Sequence, residues 1–156
     1  LNYLSKLIMQ VENQPTAKVF YVGVKGVIVI DDKILLLKRS SKEKLASFWD
    51  MPGGRIVGDE NFEIVLKREL IEELGDVQKV SVQDLLHVFR LPYDVEEKYG
   101  LLLLFFKVTV AIEAITLSEE HESYRWVHKN DIAHFLTSEE KYLNDGVKKV
   151  LQLAFA

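Results

Sequence analysis

The chain of 156 residues contains no cysteine. Disulfides, thiolate metal sites and cysteine nucleophiles are therefore excluded, and the absence suits a reducing compartment. Long apolar runs are also missing. The longest, Leu101 to Phe106, stops at Lys107, well short of the roughly 20 residues a membrane-spanning helix needs. The opening segment holds Lys6 among apolar neighbours but shows no small-residue cleavage site, so no secretory signal is expected. A start at Leu1 reads as processed or truncated. These absences together give a cytoplasmic expectation with no membrane contact. Positive charge is scarce as well: the formal net charge is -4 and the pI is about 5.6. Bulk charge of this sign cannot hold a polyphosphate, so an anionic substrate needs local positive charge, for which a divalent metal is the obvious source. Without a basic stripe, duplex nucleic acid is not an expected partner.

Three nucleophile and metal signatures are absent too: G-x-S-x-G, the P-loop and H-E-x-x-H. His87, His121, His128 and His134 show no metal-ligand spacing and read as strand or surface residues. There is no internal repeat or low-complexity stretch. With 48% hydrophobic and 28% charged residues, residues 1–156 read as one globular domain able to bury a real core. Its oligomeric state is left open, a homodimer included.

What is present alternates between two periodicities. Ala17 to Ile30 is rich in Val, Ile, Tyr and Phe and predicts a strand. Asp31 and Asp32 form a turn into the apolar run Ile34 to Leu37, giving a hairpin. Lys38 to Lys44 is polar and basic and reads as a loop. Phe48 to Gly54 contains Trp49, Pro52, Gly53 and Gly54, which interrupts regular structure. Asn61 to Leu74 is helical, since Phe62, Leu66, Leu70 and Leu74 recur every four residues; Asp59 is a candidate cap and Gly75 a stop. Two strands follow, Val77 to Leu91 and Tyr99 to Ile112, joined by Pro92 to Lys98. Tyr124 to Val127 reads as a short strand, and 131–136 and 146–154 as short helices. A helix between runs of strands predicts an α/β sandwich with a mixed sheet.

The chemistry concentrates on the long helix. Glu69, Glu72 and Glu73 stand at i, i+3 and i+4 on one face, where like charges repel and a structural helix gains nothing. Gathered hard oxygens suit Mg²⁺, which takes a few carboxylates plus waters and phosphate oxygens, with Mn²⁺ as a substitute. Arg68 can bridge carboxylates in bidentate geometry. Glu60 stands eight residues before it. Gly53 and Gly54 let the backbone approach closely. A solvated charged face is the competing reading of the three glutamates.

Gly54, five residues, Glu60, seven residues, then Arg68-Glu69-Leu70-Ile71-Glu72-Glu73-Leu74-Gly75 resembles the Nudix box. Seven fixed residues at about 7% each match by chance on the order of 10⁻⁸ per window. Ile34 to Arg39 leading through Phe48-Trp49-Asp50-Met51-Pro52-Gly53-Gly54 is similar to the family's approach to the box. Glu119-Glu120-His121-Glu122 before Arg125-Trp126-Val127 is similar to its late segment, so the likeness covers residues 19–136. Two places depart from the pattern: Asp76 stands where an apolar residue usually follows the box glycine, and Val57 where many members carry a glutamate.

The resemblance implies a Nudix α/β/α sandwich around a mixed sheet. It also implies Mg²⁺-dependent attack of water on a nucleoside diphosphate linked to another moiety: a nucleoside triphosphate, an oxidised nucleotide, a nucleotide sugar or ADP-ribose. Metal ligands would be Glu69, Glu72, Glu73, Glu120 and the carbonyl of Gly53. Glu69 or Glu120 would activate water, and Arg68 and Glu60 would hold the arrangement. Arg39, ahead of Lys38, Lys42 and Lys44, is the candidate phosphate contact. Phe48 and Trp49 are candidates to stack on a base or else pack in the core. A catalytically silent sensor of a nucleotide or ADP-ribose is the alternative.

Overall fold

The computed structural model describes residues 17–96 and 98–156; Lys6 and the opening segment lie outside them. The chain runs β1 (Phe20–Ile30), β2 (Lys33–Arg39), β3 (Trp49–Asp50), α1 (Phe62–Leu74), β4 (Val77–Arg90), β5 (Gly100–Ile112), β6 (His121–His128), α2 (Ile132–Ser138) and α3 (Asp145–Leu153). The strand order is β3-β2-β1-β5-β4, with β6 on the other edge of β2. β1 and β5 are parallel, Phe20 to Ile28 against Gly100 to Val108, and the remaining pairs are antiparallel. The sheet is mixed, as its helix-interrupted order requires.

The β1–β2 hairpin turns on Asp31 and Asp32, both left-handed at φ 48° and 60°. Asp tolerates that region better than most residues, and such a turn matches the strand twist. After two paired positions the strands part, because only Val29 and Ile30 of β1 pair with β2. The rest of that β1 edge is left for another partner.

β2 is buried on both faces. Ile34 and Leu36 belong to the core beneath α2 and α3, Leu35 and Leu37 to the core beneath α1, and all four are fully buried. Such a strand reads as an unbroken apolar run because neither face meets water. Lys38 and Arg39 belong to this strand and not to the loop expected from their charge, since they pair with Ser123 and His121 of β6. Polarity selects the face of a strand and does not end it while a neighbour still offers hydrogen bonds.

α1 lays Val65, Leu66, Leu70 and Leu74 into its core. Its N-cap is Asn61, whose Oδ1 accepts from the Ile64 amide at 3.0 Å, and not Asp59, which lies too far back to reach the third helical amide. Gly75 stops it at φ 84°, donating to the Ile71 carbonyl. β6 begins at His121, three residues before the predicted Tyr124, because β2 extends far enough to pair with it. α2 starts at Ile132 after a 3-10 turn over Lys129–Asp131. Among the described residues no helix is long and apolar enough to cross a membrane.

Leu36→Ala is expected to cost about 2–5 kcal/mol in a denaturant melt, the range for opening a cavity in a well-packed core. Leu45→Ala, on a loop and 46% exposed, is expected to change stability by less than about 0.5 kcal/mol.

Candidate active site

The vacant edge of β1 is taken by the Pro52–Ile56 segment. Gly26 donates to the Pro52 carbonyl and Val24 to the Gly54 carbonyl, both at 2.8 Å, and Ile56 donates to the Val22 carbonyl at 2.9 Å. This pairing leaves no room for side chains at the two glycines. A Cβ on Gly53, at φ 139°, would lie 2.1 Å from the Val24 carbonyl oxygen, and one on Gly54 would lie 2.1 Å from Glu69 Oε1. The glycines are there because the β1 edge presses on Gly53 and a helix carboxylate presses on Gly54.

Gly53 is held by side chains at both its amide and its carbonyl. Its amide donates to Glu73 Oε2 at 2.7 Å, and its carbonyl accepts from Lys25 Nζ at 3.3 Å. Lys25 also pairs with Asp50 at 2.7 Å. Glu73, His121, Asp50 and Lys25 are all at least nine-tenths buried, with His121 Nε2 3.7 Å from Glu73 Oε1. His121 Nδ1 and Ser118 Oγ have no hydrogen-bond partner among the described residues.

The outer part of the helix carries a second network. Arg68 makes a two-pronged contact with Glu60, Nε to Oε1 at 3.1 Å and Nη2 to Oε2 at 3.2 Å. Its Nη1 reaches Glu69 Oε1 at 2.7 Å and Glu72 Oε2 at 3.5 Å. These bonds, with Glu60 first, raise the guanidinium well above its ordinary value and lower the Glu60 carboxyl. Because Arg68 and its partners are partly exposed, the network contributes alignment far more than stability.

This donor set fits a hard cation. Glu69 and Glu72 already share one cationic nitrogen, and Mg²⁺ takes only one or two carboxylates before completing its shell with water and phosphate oxygens. No three carboxylate or imidazole side chains among the described residues stand close enough to form a ready-made cage.

A cleft of about 720 Å³ opens beside these groups. Glu69, Gly53, Gly54, Asp50 and Lys25 line its inner wall, and Arg39, Lys42, Lys44 and Glu120 stand among its other walls. The fold thus brings Glu69, Gly53, Glu120 and Arg39 to one space. Glu72 is exposed outside it, Glu73 is buried behind it, and Arg68 and Glu60 brace it. Arg39 is held by the Lys44 carbonyl at 3.0 Å and by Glu43 at 3.6 Å. Trp49 lies in the core and not in the cleft: it is 3% exposed, edge-on to Phe135, with Nε1 donating to Glu139 at 2.9 Å. Phe48 meets Tyr142 edge-on and lines a neighbouring apolar cavity of about 370 Å³. Lys25 and Asp50 were not among the expected site residues, and His121, expected on a strand or the surface, is buried at the start of β6 beside Glu73. A lone lysine inside the apolar run Val22 to Ile30 was the one signal available, since a buried strand excludes an unpaired charge.

Burial pushes the Glu73 carboxyl up to about 8, against the opposing pull of Lys25 and the Gly53 amide. Burial pushes His121 down to about 4, with Lys25 and Arg39 adding to it. Each group is thus held in its neutral form. A raised acid stabilises the fold below the ordinary carboxylate range and loses that contribution as pH rises through about 8. A lowered imidazole contributes above its ordinary range and loses that as pH falls towards 4. Of these two groups, Glu73 dominates the slope between about pH 6.5 and 8. Metal-free protein in chelator is therefore expected to lose stability across that window in urea melts, and Glu73→Gln to flatten the loss; an unchanged slope would take the burial of Glu73 out of the account.

A profile of the NUDIX domain matches residues 21–151. The chain is 30% identical over 111 residues to the nucleoside triphosphatase NudI of Escherichia fergusonii, covering 67% of this chain and 74% of that one. It is 28% identical over 114 residues to the 8-oxo-dGTP diphosphatase of Buchnera aphidicola, covering 72% and 80%. The crystal structure of the MutT protein from Methanosarcina mazei superposes with a TM-score of 0.71 at 26% identity, over 88% of this chain and 94% of that one. On these matches, the chain belongs to the Nudix family and is a MutT-like pyrophosphohydrolase.

Proposed function

We propose that the protein is a divalent-metal-dependent hydrolase that cleaves a phosphoanhydride bond of a nucleoside triphosphate, oxidised forms included. The observation that carries this reading is Glu69, set in the cleft wall against Gly54 and fixed there by Arg68. The names of the two relatives support the substrate class. A nucleotide sugar or ADP-ribose stays within the same chemistry.

Glu69 and Glu72 would hold the ion, with Glu120 available from another wall and Gly53 offering its carbonyl. The ion supplies charge neutralisation to the phosphate oxygens. Glu69, facing the cleft, orients the attacking water and takes its proton. Arg68 keeps that carboxylate in one rotamer, and Glu60 keeps Arg68 in place. Arg39 meets the phosphate chain from the basic wall. No side chain needs to form a covalent intermediate, and the chain offers no cysteine for one. One observation favours a second reading, a ligand sensor without turnover: Glu73 is turned inward and no metal cage stands ready among the described residues.

A panel of nucleoside triphosphates, oxidised nucleotides and nucleotide sugars separates the two. Turnover with Mg²⁺ or Mn²⁺ and none with chelator is expected; binding without turnover on the whole panel would favour the sensor. Arg68→Ala is expected to lower kcat by about 10–100-fold, the usual effect of losing a group that orients a ligand, with little change in KM. An unchanged kcat with a raised KM would instead put Arg68 on the substrate. Glu72→Gln is expected to keep the metal-free melting temperature while losing most of the rise that Mg²⁺ gives the wild type. Equal rises would remove Glu72 from the ligands.

A further inference from the structure

Lys25 is a single cation in the middle of an apolar strand, 8% exposed, where an unpaired ammonium would be costly. Its partners are Asp50 at 2.7 Å and the Gly53 carbonyl at 3.3 Å. That carbonyl is one of the groups assigned above to the metal. Glu73 holds the amide of the same residue, so side chains engage the polar groups on both sides of the Gly53 Cα before any ion arrives. Lys25 shares the cleft wall with Glu69. At separations of a few ångström in a partly buried site, a unit positive charge repels a divalent ion strongly and salt screens little of it.

We propose that Lys25 is a resident cation of the site: it neutralises Asp50 and occupies the Gly53 carbonyl, so that the protein holds a divalent ion through fewer ligands and more weakly than its oxygens alone would. The inference rests on the metal reading given above. Lys25 is then a positioning residue whose removal uncovers two oxygen ligands, Asp50 and the Gly53 carbonyl. A purely structural role has the opposite sign. Without its ammonium the Gly53 segment would loosen and metal binding would weaken.

The sign is measurable without turnover. Mn²⁺ titration by calorimetry and by the free-ion EPR signal compares wild type, Lys25→Met, Lys25→Met with Asp50→Asn, and Lys44→Met as a control at the cleft rim. Lys25→Met is expected to bind Mn²⁺ at least tenfold more tightly, to melt lower without metal, and to gain more from Mn²⁺ than wild type does. Adding Asp50→Asn is expected to return the affinity to the wild-type value or below, and Lys44→Met to stay within twofold. Should Lys25→Met fail to fold, Lys25→Gln keeps a donor for the Gly53 carbonyl without the charge and is expected to tighten binding in the same direction. Wild type that binds Mn²⁺ while the Lys25 variants bind it equally or more weakly overturns this inference and leaves the metal reading standing. Wild type that binds no Mn²⁺ overturns both.

Discussion

The structure depends on one close approach, the pairing of Pro52–Ile56 with the free edge of β1. β2 leaves β1 after two residues, and backbone groups on that edge must still find partners. The glycine segment supplies them, and in doing so it places a peptide with no side chain directly against α1. Glu69 comes to lie where any Cβ on Gly54 would sit, and Glu73 reaches the Gly53 amide. The Glu69 wall of the cleft is therefore a consequence of strand accounting. The same geometry explains why the carboxylates stand on a helix rather than a loop: the helix packs rigidly through Val65, Leu66, Leu70 and Leu74, and a rigid element holds a ligand more closely than a loop does.

Two electrostatic networks meet at this approach and differ in kind. Arg68 and its carboxylates lie near water, where pairing contributes little to stability but fixes rotamers. Lys25, Asp50, Glu73 and His121 lie inside, where each charge must be matched or given up. Lys25 and Asp50 match each other. Glu73 and His121 give theirs up, the acid held protonated and the imidazole held neutral by burial. The inner layer is thus close to neutral and the outer layer keeps its negative charge. The two layers meet at the cleft, where Glu69 of the outer one stands beside Lys25 and Asp50 of the inner one.

Much of this was legible in the residues, and the failures have physical causes. Glu60, Arg68, Glu69 and the glycine pair could be read because their spacing follows the helix period and the turn. Asp59 and Asn61 are equally good caps by type, and only the geometry of the first turn chooses Asn61. Lys38 and Arg39 looked like loop residues because a strand's length is set by its neighbour, here β6. Trp49 stood between a base contact and the core, and the core reading holds because Phe135 and Glu139, far along the chain, come to cover it. Lys25, Asp50 and His121 are brought together only by the fold, across three separate strands. The two departures from the family pattern also resolve locally. Asp76 is exposed, and the apolar duty passes to Val77, 7% exposed in the core beneath α1. Val57 is 66% exposed and is not among the residues lining the cleft.

An acidic chain can serve an anionic ligand only if it separates its charges in space. The cleft does this. Arg39 ends β2, Lys42 and Lys44 follow on the segment before β3, and Glu69 stands on α1. Their separation follows from the order of the chain, which sends the basic segment out before β3 and brings the helix back after the glycine turn. On the proposed reading, a polyphosphate entering between them would meet cations on one wall and, on the other, Glu69, which a bound metal would make attractive. Low-dielectric walls around such a cleft strengthen both effects over what the net charge suggests. On that reading the binding of the phosphate chain and the loading of the metal are coupled: each would supply the charge the other lacks, and neither wall alone would be a complete site.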